Sequence, residues 1–218
     1  MRRQATFLAC LIAALVTLAP AAFAGDAQPP QAADDDVLSF RSPRAAVVGN
    51  PKGDVTVVEF FDYNCGYCRR ALPSMLKLIR GDKDVRVVLV ELPIFGADSE
   101  AAAKIALAAK SQGKYFELHQ RLFGEKGKAD RAKAIRIAKS LRLDMRKLEQ
   151  DMEGPEVSEA LAEGSMLAQR LGILGTPTYY IAGKLLPGAP EDLHAQLTRS
   201  VANARLSPEG TGSAVGPP

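Results

Sequence analysis

The sequence predicts an α/β fold in which a long helical block interrupts a sheet. Three observations carry this expectation. Over residues 55–92 an apolar run, a helix-period segment and a second apolar run follow one another. Residues 98–171 then keep a helical pattern throughout. A short aromatic run, a turn and a last amphipathic stretch close the chain at 178–201. The order is β-α-β, helices, β-β-α, and a β-α-β opening is the sign of parallel pairing.

The first strand is Val55 to Phe61, β-branched and aromatic, bounded upstream by the turn cluster Asn50-Pro51-Lys52-Gly53-Asp54. Cys65 to Arg80 follows as a helix with Leu72, Met75, Leu76 and Ile79 on one face, ended by Gly81-Asp82. Val85 to Leu92 is the second strand. Ser99 is a cap for an alanine-rich helix from Glu100 to Lys110. Further helices are expected over Tyr115–Phe123, Ala129–Leu141 and Met145–Met152, then a long one striped by Val157, Ala160, Leu161, Leu167, Ala168 and Leu171. Thr178-Tyr179-Tyr180-Ile181 is a strand, Ala182-Gly183-Lys184 a turn into Leu185-Leu186, and Leu193, Leu197 and Val201 put a final helix on the sheet.

The chain's ends read differently. Arg2 and Arg3 precede an apolar stretch, Phe7 to Leu18, then Pro20 and Ala22-Phe23-Ala24. That pattern is a cleavable signal peptide over residues 1–24, and the stretch is short for a bilayer span. Residues 25–40, rich in Pro, Ala and Asp, read as a flexible leader, and 206–218 as a disordered tail. The 28 basic and 25 acidic side chains nearly balance, and residues 1–24 remove two of the basic ones. No nucleic-acid or anionic-membrane footprint remains.

Of three cysteines, Cys10 lies in the signal peptide, leaving Cys65 and Cys68 in an exported chain. A Cys-x-x-Cys at a strand-to-helix junction has a physical consequence. Backbone N–H groups without intrahelical partners, and the positive end of the helix dipole, favour a thiolate at Cys65. Arg69 and Arg70 add positive charge nearby. Cys68, one turn on, can close onto Cys65 and resolve a mixed disulfide. A structural disulfide across so small a loop stabilises little. Zinc needs two more ligands, and His119 and His194 lie far apart. Two soft thiolates can also hold Cu(I), and that alternative stays open.

Glu59 interrupts the first strand. Val55, Val57, Glu59 and Phe61 share one face and Thr56, Val58 and Phe60 the other, the pattern of a central strand covered on both sides. A carboxyl group there is either a buried proton acceptor for Cys68, its proton affinity raised by desolvation, or a strand-end glutamate reaching water.

The motif E-F-F-D-Y-N-C-G-Y-C, the helical Pro73 and the later G-T-P before a strand resemble the thioredoxin-like DsbA family of exported thiol:disulfide oxidoreductases, over about residues 45–204. The resemblance implies a thioredoxin-like core of 41–97 and 172–205 with an inserted helical domain over 98–171. It implies Cys65, Cys68 and Glu59 as catalytic residues, Gly66 and Tyr67 as supporting motif residues, and a cis-proline at Pro177. Thr176 and Pro177 would then bind an extended substrate strand. No cofactor and no metal are implied. Gly66-Tyr67 departs from the Pro-His of strongly oxidising members and, with Thr176, resembles the dimeric periplasmic isomerases. Because the short leader offers no dimerisation domain and no trimerising arm, the expectation is a monomeric periplasmic oxidase. A reductase or isomerase role is the alternative. Expected partners are unfolded or partly folded exported proteins with cysteines, and a membrane redox partner, DsbB-like or DsbD-like.

Overall fold

The computed structural model describes residues 40–206. The segments expected as signal peptide, leader (up to residue 39) and tail (from 207) lie outside the described residues. Strands β1 (Ala46–Gly49), β2 (Val55–Phe61), β3 (Val85–Glu91), β4 (Thr178–Ile181) and β5 (Lys184–Pro187) form one sheet in the order β1-β3-β2-β4-β5. Only β2 and β3 run parallel, with Glu59 beside Leu89 and Phe61 beside Glu91. The other three pairings are antiparallel. The parallel expectation therefore holds for the β-α-β unit alone, and the sheet as a whole is mixed.

Helix α1 (Gly66–Gly81) joins β2 to β3. Between β3 and β4 come α2 (Ala97–Ala109), a single 3₁₀ turn (Lys110–Gln112), α3 (Tyr115–Gly124), α4 (Arg131–Ser140), α5 (Met145–Met152) and α6 (Pro155–Arg170). Helix α7 (Leu193–Leu206) ends the described chain. Capping follows local chemistry. Asp130 and Asp144 accept from Lys133 N and Lys147 N at the starts of α4 and α5, and Pro155 opens α6 where its missing N–H costs nothing. Ser99 does not cap α2, whose N-cap is Gly96. Its hydroxyl is buried and turned to Asp62 instead.

The central strand β2 is covered on both faces, as its double apolar pattern requires. Val57, Phe61 and Tyr179 pack with α1 and the helical block, whereas Val58, Phe60 and Tyr180 pack with Phe40, Val88, Val90 and Leu167. Burying each such side chain stabilises by roughly 1.5–3 kcal/mol. Helix α6 approaches β3 closely because Gly164 has no side chain, since a Cβ there would meet Val90 Cγ1 at 2.8 Å. The β4–β5 turn places Ala182 and Gly183 at φ 45° and 78°, the left-handed region a two-residue hairpin demands.

Two further details depart from the sequence expectation. Phe40, assigned to the leader, is buried against the rings of Phe60 and Tyr180. Beyond it, Arg44 pairs with Glu159 and Glu163 of α6. Strand β1 is not anticipated at all, because Ala-Val-Val-Gly is too short to show alternation and gains its order from pairing with β3.

Candidate active site

Strand β2 ends at Phe61, and the next four residues turn the chain into α1. Asp62 anchors this turn. Its carboxylate accepts from Asn64 N at 2.6 Å, Ser99 Oγ at 2.8 Å and Phe95 N at 3.1 Å. Asn64 donates to Ser99 Oγ and Ala129 O and accepts from Ala129 N. The turn is thereby fastened to α2 and to the loop before α4, which sets where Cys65 emerges. An Asp-x-Asn after a strand is a turn signal in the sequence, but its partners lie 33 to 65 residues away.

Cys65 is the N-cap of α1. Its sulfur accepts from Cys68 N at 3.4 Å and donates to Thr176 O at 3.2 Å. Both cysteines are free thiols. The Thr176–Pro177 peptide is cis, and Pro177 O accepts from Gly188 N, so the loop before β4 is held beside Cys65. Cys65 lies deeper than the sequence suggests, with 3% of its surface exposed, while Gly66 and Tyr67 are open to solvent. Burial pushes the Cys68 thiol well above the ordinary thiol range. Neither arginine points its charge at the sulfur. Arg69 donates to the carbonyls of Phe123, Glu125 and Gly127, and Arg70 stacks 4.1 Å over the Tyr67 ring.

Glu59 is 4% exposed, which removes the strand-end reading. Burial raises its pKa to about 8, against the opposing hydrogen bond from Tyr179 Oη at 3.3 Å. A second buried acid escapes the sequence reading. Glu91, at the end of β3, is raised by burial to about 8 and accepts from Tyr115 Oη at 2.5 Å. Nearby, Tyr63 Oη pairs with His119 Nδ1 at 3.2 Å. His119 sits inside an aromatic box of Phe61, Tyr63, Tyr115, Phe116 and Phe123, and burial lowers its pKa to about 3. It is a core histidine, neutral at physiological pH. Glu91 could have been noticed as an acid closing an otherwise apolar strand, but nothing in the sequence names Tyr115 as its partner.

A groove of about 360 Å³ runs beside the cis-proline, lined by Leu174, Thr176, Pro177, Leu185 and Pro187 among others. Leu174 at its rim is wholly exposed. The described residues hold no group of three or more His, Cys, Asp or Glu that could bind a metal, and no helix among them is long and apolar enough to cross a membrane.

Comparison with known proteins agrees with this geometry. A thioredoxin-like oxidoreductase from Silicibacter pomeroyi superposes with TM-score 0.75 at 47% identity, covering 80% of this chain and 98% of that one. The catalytic domain of Proteus mirabilis ScsC superposes with TM-score 0.68 at 28% identity, covering 78% and 96%. In sequence, the Na(+)/H(+) antiporter NhaA 3 of Salinispora tropica is 32% identical over 181 residues, which is 81% of this chain and 27% of the antiporter. The chain thus spans about a quarter of the length of the antiporters it matches. The family model of the DSBA-like thioredoxin domain matches residues 56–197, and the chain belongs to that family.

Proposed function

We propose that the protein is an exported thiol:disulfide oxidoreductase that donates the Cys65–Cys68 disulfide to cysteines of other exported proteins. The observation that carries the reading is the Cys65 sulfur, capping α1 and lying 3.2 Å from Thr176 O, next to the cis peptide. A substrate thiolate attacks Cys65 Sγ, the Cys65–Cys68 bond breaks, and Cys68 leaves as a thiolate that takes a proton from Glu59. A second substrate thiolate then attacks the substrate sulfur of the mixed disulfide. The substrate gains a disulfide, Cys65 leaves as a thiolate, and the protein is reduced by two electrons. A membrane redox partner withdraws those electrons.

Substrate recognition is assigned to the groove beside Pro177. Its apolar rim suits an extended, unfolded segment, with main-chain contacts near Thr176 supplying affinity independent of sequence. Export to the periplasm is the compartment in which such a pair is used, and the signal-peptide pattern of residues 1–24 supports it.

The test is a trapping experiment followed by a potential. Cys68→Ser should accumulate mixed disulfides through Cys65, visible on non-reducing gels and absent in Cys65→Ser. Equilibration with glutathione then sets the direction. A strongly oxidising potential with poor scrambled-substrate isomerisation supports the oxidase, whereas activity confined to the reduced protein makes it a reductase or isomerase. A Cys68→Ser protein that traps nothing refutes exchange altogether.

A further inference from the structure

Glu59 and Tyr179 face each other directly across the antiparallel β2–β4 pair. Both are buried, and the Tyr179 hydroxyl donates to Glu59 Oε1 at 3.3 Å. Burial and this hydrogen bond act on the Glu59 proton in opposite directions, burial raising its pKa and the bond lowering it. The titratable groups that sense the Glu59 charge are Tyr179 on β4, Cys68 on α1 and Tyr63 in the turn after β2, while β3 presents the apolar Leu89 beside it. Cys65 at the head of α1 completes the set through its coupling to Cys68 and Tyr179. Tyr179 is two residues past Pro177, so the donor to Glu59 lies on the strand into which the loop beside Cys65 leads.

We infer that Tyr179 is a positioning residue, holding the Glu59 carboxyl by one oxygen so that it exchanges a proton with Cys68 during disulfide exchange. The inference rests on the exchange reading given above. In the resolving direction Cys68 Sγ–H passes its proton to the Glu59 carboxylate. The resulting thiolate attacks Cys65 Sγ of the mixed disulfide, the Cys65–Cys68 bond forms, and the substrate leaves as a thiolate. In the donating direction the same proton returns to Cys68. Tyr179 itself stays protonated throughout, because burial and the Glu59 charge both push its hydroxyl above the ordinary phenol range. It is a fixed donor, and without it an ionised Glu59 would be buried with its hydrogen-bonding capacity unmet.

The experiment compares Tyr179→Phe with the unmodified protein. Carboxyl-carbon NMR of the reduced protein reads the Glu59 titration, and stopped-flow kinetics read release of a glutathione mixed disulfide against pH. Loss of a hydrogen bond to an ionised group should move the Glu59 midpoint upward by about one pH unit. The release profile should move by the same amount, with the release step rather than the attack step carrying the change. In a Glu59→Gln background, Tyr179→Phe should produce no further slowing of release. An unmoved Glu59 midpoint, or equal slowing in the Glu59→Gln background, overturns the assignment. A protein whose Glu59 midpoint moves but which exchanges with no disulfide keeps the Tyr179 contact and refutes the exchange reading instead.

Discussion

Replacing Glu59 by glutamine should halve the alkaline loss of stability. Glu59 and Glu91 each titrate at about 8 in the fold against an ordinary value of 4.5, chiefly through burial. An acid whose folded pKa is raised contributes stability that is full below its unfolded pKa and is lost as pH rises through the folded one. In that window each group costs about 1.4 kcal/mol per pH unit, the slope easing near 8. Between pH 6.5 and 8 the two together remove about 3 kcal/mol. Other groups bound the window cleanly. His119, lowered to about 3 by burial, has the opposite sign, its contribution being present above pH 6.5 and lost as pH falls below. Cys68, raised by burial, adds a loss only once an unfolded thiol ionises, above about 8.5. The assay is urea unfolding under reducing conditions at pH 6.5, 7, 7.5 and 8, with stability taken from the midpoint and slope. Glutamine keeps a carbonyl for the Tyr179 hydroxyl and nearly the same volume, so the comparison isolates the charge. Over this window the variant should lose about half as much stability as the parent. Parallel stability curves for the two proteins would refute the reasoning.

Two further outcomes follow from geometry. Asn64→Ala removes three hydrogen bonds and leaves the N–H and carbonyl of buried Ala129 without those partners, so it should cost about 1–3 kcal/mol by chemical denaturation, with slower exchange because the turn before Cys65 loosens. Arg205 bonds both Asp54 and Asp82 and holds their pKa values below the ordinary 3.8; this contribution is present above about pH 4 and lost as pH falls further, so in Arg205→Ala acid melts should lose that dependence. The three side chains are partly exposed, and high salt should shrink the difference.

Much of the site is legible because its chemistry is local. The Cys65–Cys68 spacing, the strand before it and the helix after it occupy one continuous stretch, and capping of α1 by Cys65 follows from that junction alone. Glu59 stands out because an acid in a doubly apolar strand is costly wherever the strand ends up. The helical block is equally plain, since α2 is rich in alanine and the helices after it carry apolar stripes. What escapes are the partners. Asp62 and Asn64 look like ordinary turn residues until Ser99 and Ala129 come to them, and Ser99 looks like a cap until its hydroxyl turns inward. Tyr179 and Tyr180 are indistinguishable in sequence, yet alternation sends one to Glu59 and the other to Phe40.

The sequence by itself determined the order of the elements from β2 onward and the placing of Cys65 and Cys68 at the head of α1, because periodicity and a strand-to-helix junction are short-range properties that each segment carries within it. Only the tertiary structure decided that β1 exists, that most of the sheet is antiparallel, and that Arg69 serves the loop at 123–127 rather than the sulfur. It also decided that Glu59 has a tyrosine for its partner. These depend on contacts between segments tens of residues apart, and such contacts are fixed only when the whole core closes.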